Sequence, residues 1–321
     1  MKTCETVSSS EFQVLKVTAR HGLGHVSRFT FRASLAAFTL IEVMIVVVLM
    51  SVIILGLMAM FSQTQRAFKA GMTQTDMLEG GRMATEMLSR ELEQIVPAYA
   101  TVVPGRTNFF TVLETEFAQT LPAGSPERTN LISRIFFLTH ENQTWTGIGY
   151  FLVPDTTVTP VNPVGVLTRF EMSDTAAGFA QRPWLLISNF NLASQGFTSY
   201  GSLSKILDGV VHFYFRTCDT NGYWINPSGP PTPIGQIWTH SDWSANLPIP
   251  LYPPRADYHF TNNAVPAYVE FELGVMEQGA VDHYKSIPIS NIQSNYLRLQ
   301  AGRVHLFRQR VAVRNVDRSA Y

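Results

Sequence analysis

Hydrophobic and polar positions divide this chain into three textures. Leu40 to Phe61 is a run of 22 positions whose only strongly polar member is Glu42. About 20 apolar residues suffice for a helix to cross a bilayer, so the run predicts a membrane span. Beyond it Phe68, Met72, Met83, Met87, Leu88, Leu92 and Ile95 recur at helical intervals between polar residues. Arg82, Glu86 and Arg90 follow each other at i, i+4 and i+8, the spacing of an exposed charged face. Pro97 marks the end of this stalk, and Gly80-Gly81 is where it is expected to kink.

From Pro97 onward the texture changes again, to short aromatic and β-branched runs separated by Pro, Gly, Asn and Ser. Strands are predicted at "TVVP", "FFTVL", "SRIFFLTH", "IGYFLV", "LTRFEM", "WLLISNF", "VVHFYFRT", "AYVEFELGVM" and "RVHLFRQRVAV". In the eighth, Tyr268, Glu270 and Glu272 alternate with Val269, Phe271 and Leu273, the signature of a half-buried strand. Asn221-Gly222 signals a tight hairpin turn, and residues 226–266 form a long insertion rich in Pro, Trp and His. A long helix followed by a block of strands predicts an α+β chain. Its segments are a leader 1–37, a transmembrane helix 38–61, an amphipathic stalk 62–96 and a β-rich head 97–321.

Charge gives the membrane segment a direction. The chain is neutral overall, with 24 basic and 24 acidic residues and no basic block, which argues against a nucleic-acid partner. Residues 1–37 nevertheless hold Lys2, Lys16, Arg20, Arg28 and Arg32 against Glu5 and Glu11, which points the N-terminus into the cytoplasm. A secretory signal would carry a shorter apolar core and then small residues. Here the small residues "ASLAA" (33–37) precede a core of spanning length, so a retained helix fits better. Cys4 and Cys218 flank the span and are not expected to pair.

The residues "FTLIEV" (38–43) resemble the processing site of type IV pilins and of the pseudopilins of type II secretion systems. The resemblance implies cleavage between Ala37 and Phe38 by a prepilin peptidase and N-methylation of Phe38. It also implies subunit assembly through Glu42, the fifth mature residue. Ala37 departs from the glycine usual before the cut. Helix geometry gives the spacing a physical sense. The new amine and Glu42 stand four residues apart on one face, and each is costly in lipid without a counter-charge.

A second resemblance lies in the head. "LDGVVHFYFRTCDTNGYW" (207–224), followed by "VPAYVEFEL" (265–273), is similar to J-type minor pseudopilins, with Leu207, Val210, Phe213, Asp219, Gly222 and Trp224 in matching places. Val265 departs from the usual Leu, and residues 98–200 are unmatched. Together the two resemblances imply a pilin-like fold and a structural role in a periplasmic pseudopilus of type II secretion. The partners implied are other pseudopilins or pilins through the N-terminal helix, prepilin peptidase, the inner-membrane assembly platform and membrane lipid. A minor pilin of a type IV or DNA-uptake pilus stays open. So does a membrane-anchored enzyme or carbohydrate-binding module, although G-x-S-x-G, H-E-x-x-H and P-loop patterns are absent.

No cofactor and no metal is expected. "DTNG" (219–222) has a calcium-like look without the EF-hand spacing, and reads better as a turn. "WTHSDW" (238–243) brings His240 and Asp242 between Trp238 and Trp243, and reads better as a packed loop than as a sugar or metal site. His140, His212, His259, His283 and His305 are scattered and read as structural.

Overall fold

The structure is a computed structural model that describes residues 39–98, 107–121, 127–154, 164–173, 182–196, 201–225, 237–240, 257–261 and 263–318. The leader, the first expected strand ("TVVP", 101–104) and most of the 226–266 insertion lie outside them, as do Asp242 and Trp243. The chain divides into two compact units, Met1–Phe61 and Ser62–Tyr321.

Helix α1 (Leu40–Leu92) contributes to both units. In the first, its side chains are exposed throughout, and an 18-residue window reaches a mean hydropathy of 3.0. By length and composition this segment can cross a membrane. In the second unit, α1 buries Met77, Gly81, Ala84, Thr85, Leu88, Ser89 and Leu92, spaced by three, four and one as a helical stripe requires. Arg82, Glu86 and Arg90 are exposed, as their spacing predicts. Phe68, Met72 and Met83 are exposed as well, so of the apolar recurrence Leu88, Leu92 and Ile95 are buried and Met87 partly so.

Among the described residues nine strands form one sheet: β1 (Thr107–Thr120), β2 (Glu127–Glu141), β3 (Thr144–Pro154), β4 (Gly165–Ser173), β5 (Ser202–Cys218), β6 (Ile237–His240), β7 (Asp257–Thr261), β8 (Tyr268–Met276) and β9 (Val304–Ala312). Their order is β6-β7-β1-β2-β3-β4-β5-β8-β9, with antiparallel neighbours throughout. One further pairing is parallel: β2 touches β5 through Ile132 and Phe213. That contact closes β2-β3-β4-β5 into a ring. The chain is α+β.

Adjacent residues of a strand point to opposite faces, and the core clusters divide accordingly. Phe109, Phe137, Val210 and Val275 pack with Leu88 and Leu92 of α1. Their sequence neighbours Phe110, Phe136 and Leu138 instead pack with Leu186, Phe190 and Ala193 of α2 (Leu186–Ser194). Val211 and Met276 pack with Ala280, Val281, Tyr284 and Leu297 of α3 (Gln278–Ser286) and α4 (Ser290–Arg298). The sheet is thus covered by α1 on one face and by α2, α3 and α4 on the other.

Two expectations are corrected. "WLLISNF" (184–190) is not a strand: Pro183–Leu185 is a 3-10 turn and the rest belongs to α2. Phe190 seats over Gly149 of β3, where a Cβ would lie 2.2 Å from its ring, and meets Phe110, Phe136, Phe151 and Phe170. The insertion 226–266 is not only loop, because it supplies β6 and β7. The Asn221-Gly222 turn is as expected. Cys218 bridges Trp224, and Gly222 sits at φ 84°.

Candidate functional site

Of the residues that the resemblance marks for processing and assembly, Glu42 is the one that the structure describes. Ala37 and Phe38 lie outside the described residues. Glu42 is in the first turn of α1, where a carboxylate complements the positive end of the helix dipole. Its backbone N–H reaches both the carbonyl and the side-chain oxygen of Thr39, at 3.0 and 3.4 Å. Thr39 therefore stands as N-cap with Glu42 at the third helical position, the T-x-x-E pattern of a capping box. This pattern is visible in "TLIE". Thr39 thus caps the first turn through the Glu42 N–H.

The other end of α1 is tied into the head by polar contacts that no sequence motif announced. Tyr150 of β3 donates its hydroxyl hydrogen to Glu91, and Arg169 of β4 donates from Nε to the other Glu91 oxygen at 2.9 Å. Glu171 pairs with the same guanidinium. Burial, reinforced by the Glu91 carboxylate, pushes the Tyr150 hydroxyl far above its usual range. Tyr150 is therefore a fixed donor. Arg314 pairs with Glu93 and donates its backbone N–H to the Glu93 carbonyl. Val96 donates to the Leu138 carbonyl, Asn315 donates to that of Ile95, and Ile95 bridges Thr139. The helix ends at Leu92, and the carbonyls of Ser89, Glu91 and Leu92 accept the N–H groups of Glu93, Gln94 and Ile95 in the turn that follows.

Gly80-Gly81 does not break the helix. A Cβ on Gly81 would lie 2.3 Å from the Phe307 ring of β9, so the glycine is where the edge strand comes closest to the stalk. Beside this contact an open groove of about 510 Å³ runs between α1 and β9, lined by Arg82, Glu86, Arg90, Gln309 and Arg314 among others.

Several of the other residues that the sequence singles out make contacts within the fold. Asp219 Oδ1 accepts the backbone N–H groups of Asn221 and Tyr223 at 2.9 and 2.8 Å, so the carboxylate shapes its own turn. Arg216 lies over Trp224 at 4.9 Å and near Glu270 and Glu272, while the Trp224 indole N–H donates to Glu270. Arg308 of β9 also pairs with Glu270. These residues form a charge ladder across β5, β8 and β9. His140 packs its ring at a tilt against Trp145, and His283 does so against Tyr296. Among the described residues no group of three His, Cys, Asp or Glu side chains is placed to hold a metal ion. No family model and no curated protein matches the chain.

Proposed function

We propose that the chain is a minor pseudopilin, most similar to the J type, anchored in a bacterial inner membrane with its head in the periplasm. One observation carries the reading. "FTLIEV" stands directly before an uninterrupted apolar run, with its glutamate in the first turn of a helix long enough to span. The α+β head, with α1 packed along one face of a large antiparallel sheet, supports a pilin-like arrangement. In this reading prepilin peptidase cuts between Ala37 and Phe38, and the Phe38 amine is methylated. The amine of one subunit then meets Glu42 of another in a setting where neither charge is stable alone. The role is structural, with no catalytic step.

The test is the mass of the mature N-terminus in protein extracted from membranes. A chain that begins at a methylated Phe38 is expected. A mature chain that begins upstream of Ala33 overturns the reading.

A further inference from the structure

Where β5 closes the ring β2-β3-β4-β5 against β2, Ile132 and Phe213 are the one pair in register among the described residues. A side chain also crosses this seam. His212 of β5, 3% exposed, accepts the backbone N–H of Leu131 of β2 at its Nδ1, 3.0 Å away. An acceptor at Nδ1 requires the neutral imidazole with its proton on Nε2. Nε2 lies 3.3 Å from Glu272 Oε2 of β8, off the line of a good hydrogen bond. Opposite His212 in the β5–β8 register is Gly274, where a Cβ would fall 2.7 Å from the His212 Cβ. The strand next door therefore yields space to this ring.

We propose that His212 is a pH-sensitive latch, which in its neutral form holds β2 against β5 through the Leu131 amide and on protonation releases that amide toward Glu272. An imidazolium carries hydrogen on both nitrogens, so its Nδ1–H would face the Leu131 N–H. Two donors cannot bond. The half-buried Leu131 N–H would lose its acceptor, while the Nε2–H gains a charged interaction with the Glu272 carboxylate. The two protonation states thus favour two arrangements of one ring.

The groups around the ring set the pH at which it turns. Arg128 from β2 and Arg216 from β5 disfavour a second positive charge, and Tyr214 of β5 packs its ring 6.4 Å away. Glu272 from β8 favours the charge, and Arg308 from β9 offsets Glu272 at 3.6 Å. Burial is the largest influence and holds the imidazole below its usual range, with Glu272 working against it. The native form consequently binds fewer protons than the unfolded chain in acid. The stability that the neutral latch contributes is complete above the unfolded value of 6.5 and is lost as pH falls below it toward the lowered native value. An ordinary buried histidine would share that stability profile. The latch differs in where the structure opens.

Hydrogen exchange of the full chain in detergent micelles reads this directly, once rates are scaled for the intrinsic effect of pH. Protection at Leu131, compared with Leu138 on the same strand, is expected to fall about tenfold or more between about pH 7.5 and about pH 5. His212→Asn supplies an uncharged acceptor near the Nδ1 position, and its Leu131 protection should be the same at both pH values. Equal Leu131 protection in the wild type, or the same acid loss in His212→Asn, overturns the proposal. If that variant does not fold, nitrogen NMR of the wild-type imidazole decides. A bare Nδ1 near neutral pH supports the latch, and a protonated Nδ1 there ends it. None of these readouts depends on how the N-terminus is processed.

Discussion

Two stretches of α1 use the same backbone and meet opposite conditions. Between Leu40 and Phe61 every side chain is exposed, although nearly all are apolar. Between Met77 and Leu92 seven residues are buried along one stripe, and the remaining face is largely polar. A stripe tells a helix which way to face a sheet. A helix that is apolar all round has no such preference and is satisfied only by an apolar surrounding. The apolar stretch is specified for a solvent, and the striped one for a neighbour.

Paired substitutions sharpen this contrast. Leu88 is 1% exposed in the cluster beneath the sheet, so Leu88→Ala should cost the head about 2–5 kcal/mol. Leu49→Ala removes the same atoms from a position 57% exposed, and head stability should not change. Urea unfolding of the detergent-purified chain, followed by near-ultraviolet circular dichroism, measures both. Equal losses would mean that the apolar stretch also packs against the head, and the contrast would collapse.

Glycines give a smaller version of the same comparison. Gly71 meets nothing within 4 Å, so Gly71→Ala should add helix propensity of about 1 kcal/mol or less. Gly81→Ala gains the same propensity but drives its Cβ into the Phe307 ring, at a cost of about 1–3 kcal/mol. The two variants should therefore shift unfolding in opposite directions. A stabilised Gly81→Ala would show that Phe307 swings aside freely and that the close approach is not needed.

What the sequence disclosed follows the range of the interactions involved. Strands such as Tyr268–Met276 were legible because alternation is local, although β8 is covered on both faces, Glu270 included, where the alternation predicts a half-buried strand. Leu186, Phe190 and Ala193 of α2 have helical spacing, but Trp184, Leu185 and Ile187 give the segment a strand's composition. What decides for helix is the seat that Gly147 and Gly149 open on β3, and no local window contains it. Helices α3 and α4 are nine residues each and mostly polar, too short for a clear period. Glu91 and Arg169 are 78 positions apart, so their pairing is a product of the fold. At the start of α1 the position of Glu42 was legible, whereas its relation to Thr39 needed the backbone.

That relation makes Glu42 the finest test of the contrast, because two different causes now account for an acid at the same place. As a first-turn residue it serves its own helix through a backbone N–H that any side chain leaves in place. As an assembly residue it serves another subunit, and only a negative charge will do. Glutamine is acceptable at the third position of a capping box but carries no charge. Glu42→Gln should therefore leave helix content and membrane insertion unchanged, while recovery with other pseudopilins after crosslinking falls well below wild type. Thr39→Ala should do the reverse. It loses the 3.4 Å contact to the Glu42 N–H, weakens the helix start by about 0.5–2 kcal/mol, and keeps assembly. Circular dichroism in micelles reads the first effect, and the crosslinked yield reads the second. Wild-type recovery of Glu42→Gln would reduce the glutamate to a helix cap, and the apolar stretch would then be an anchor alone.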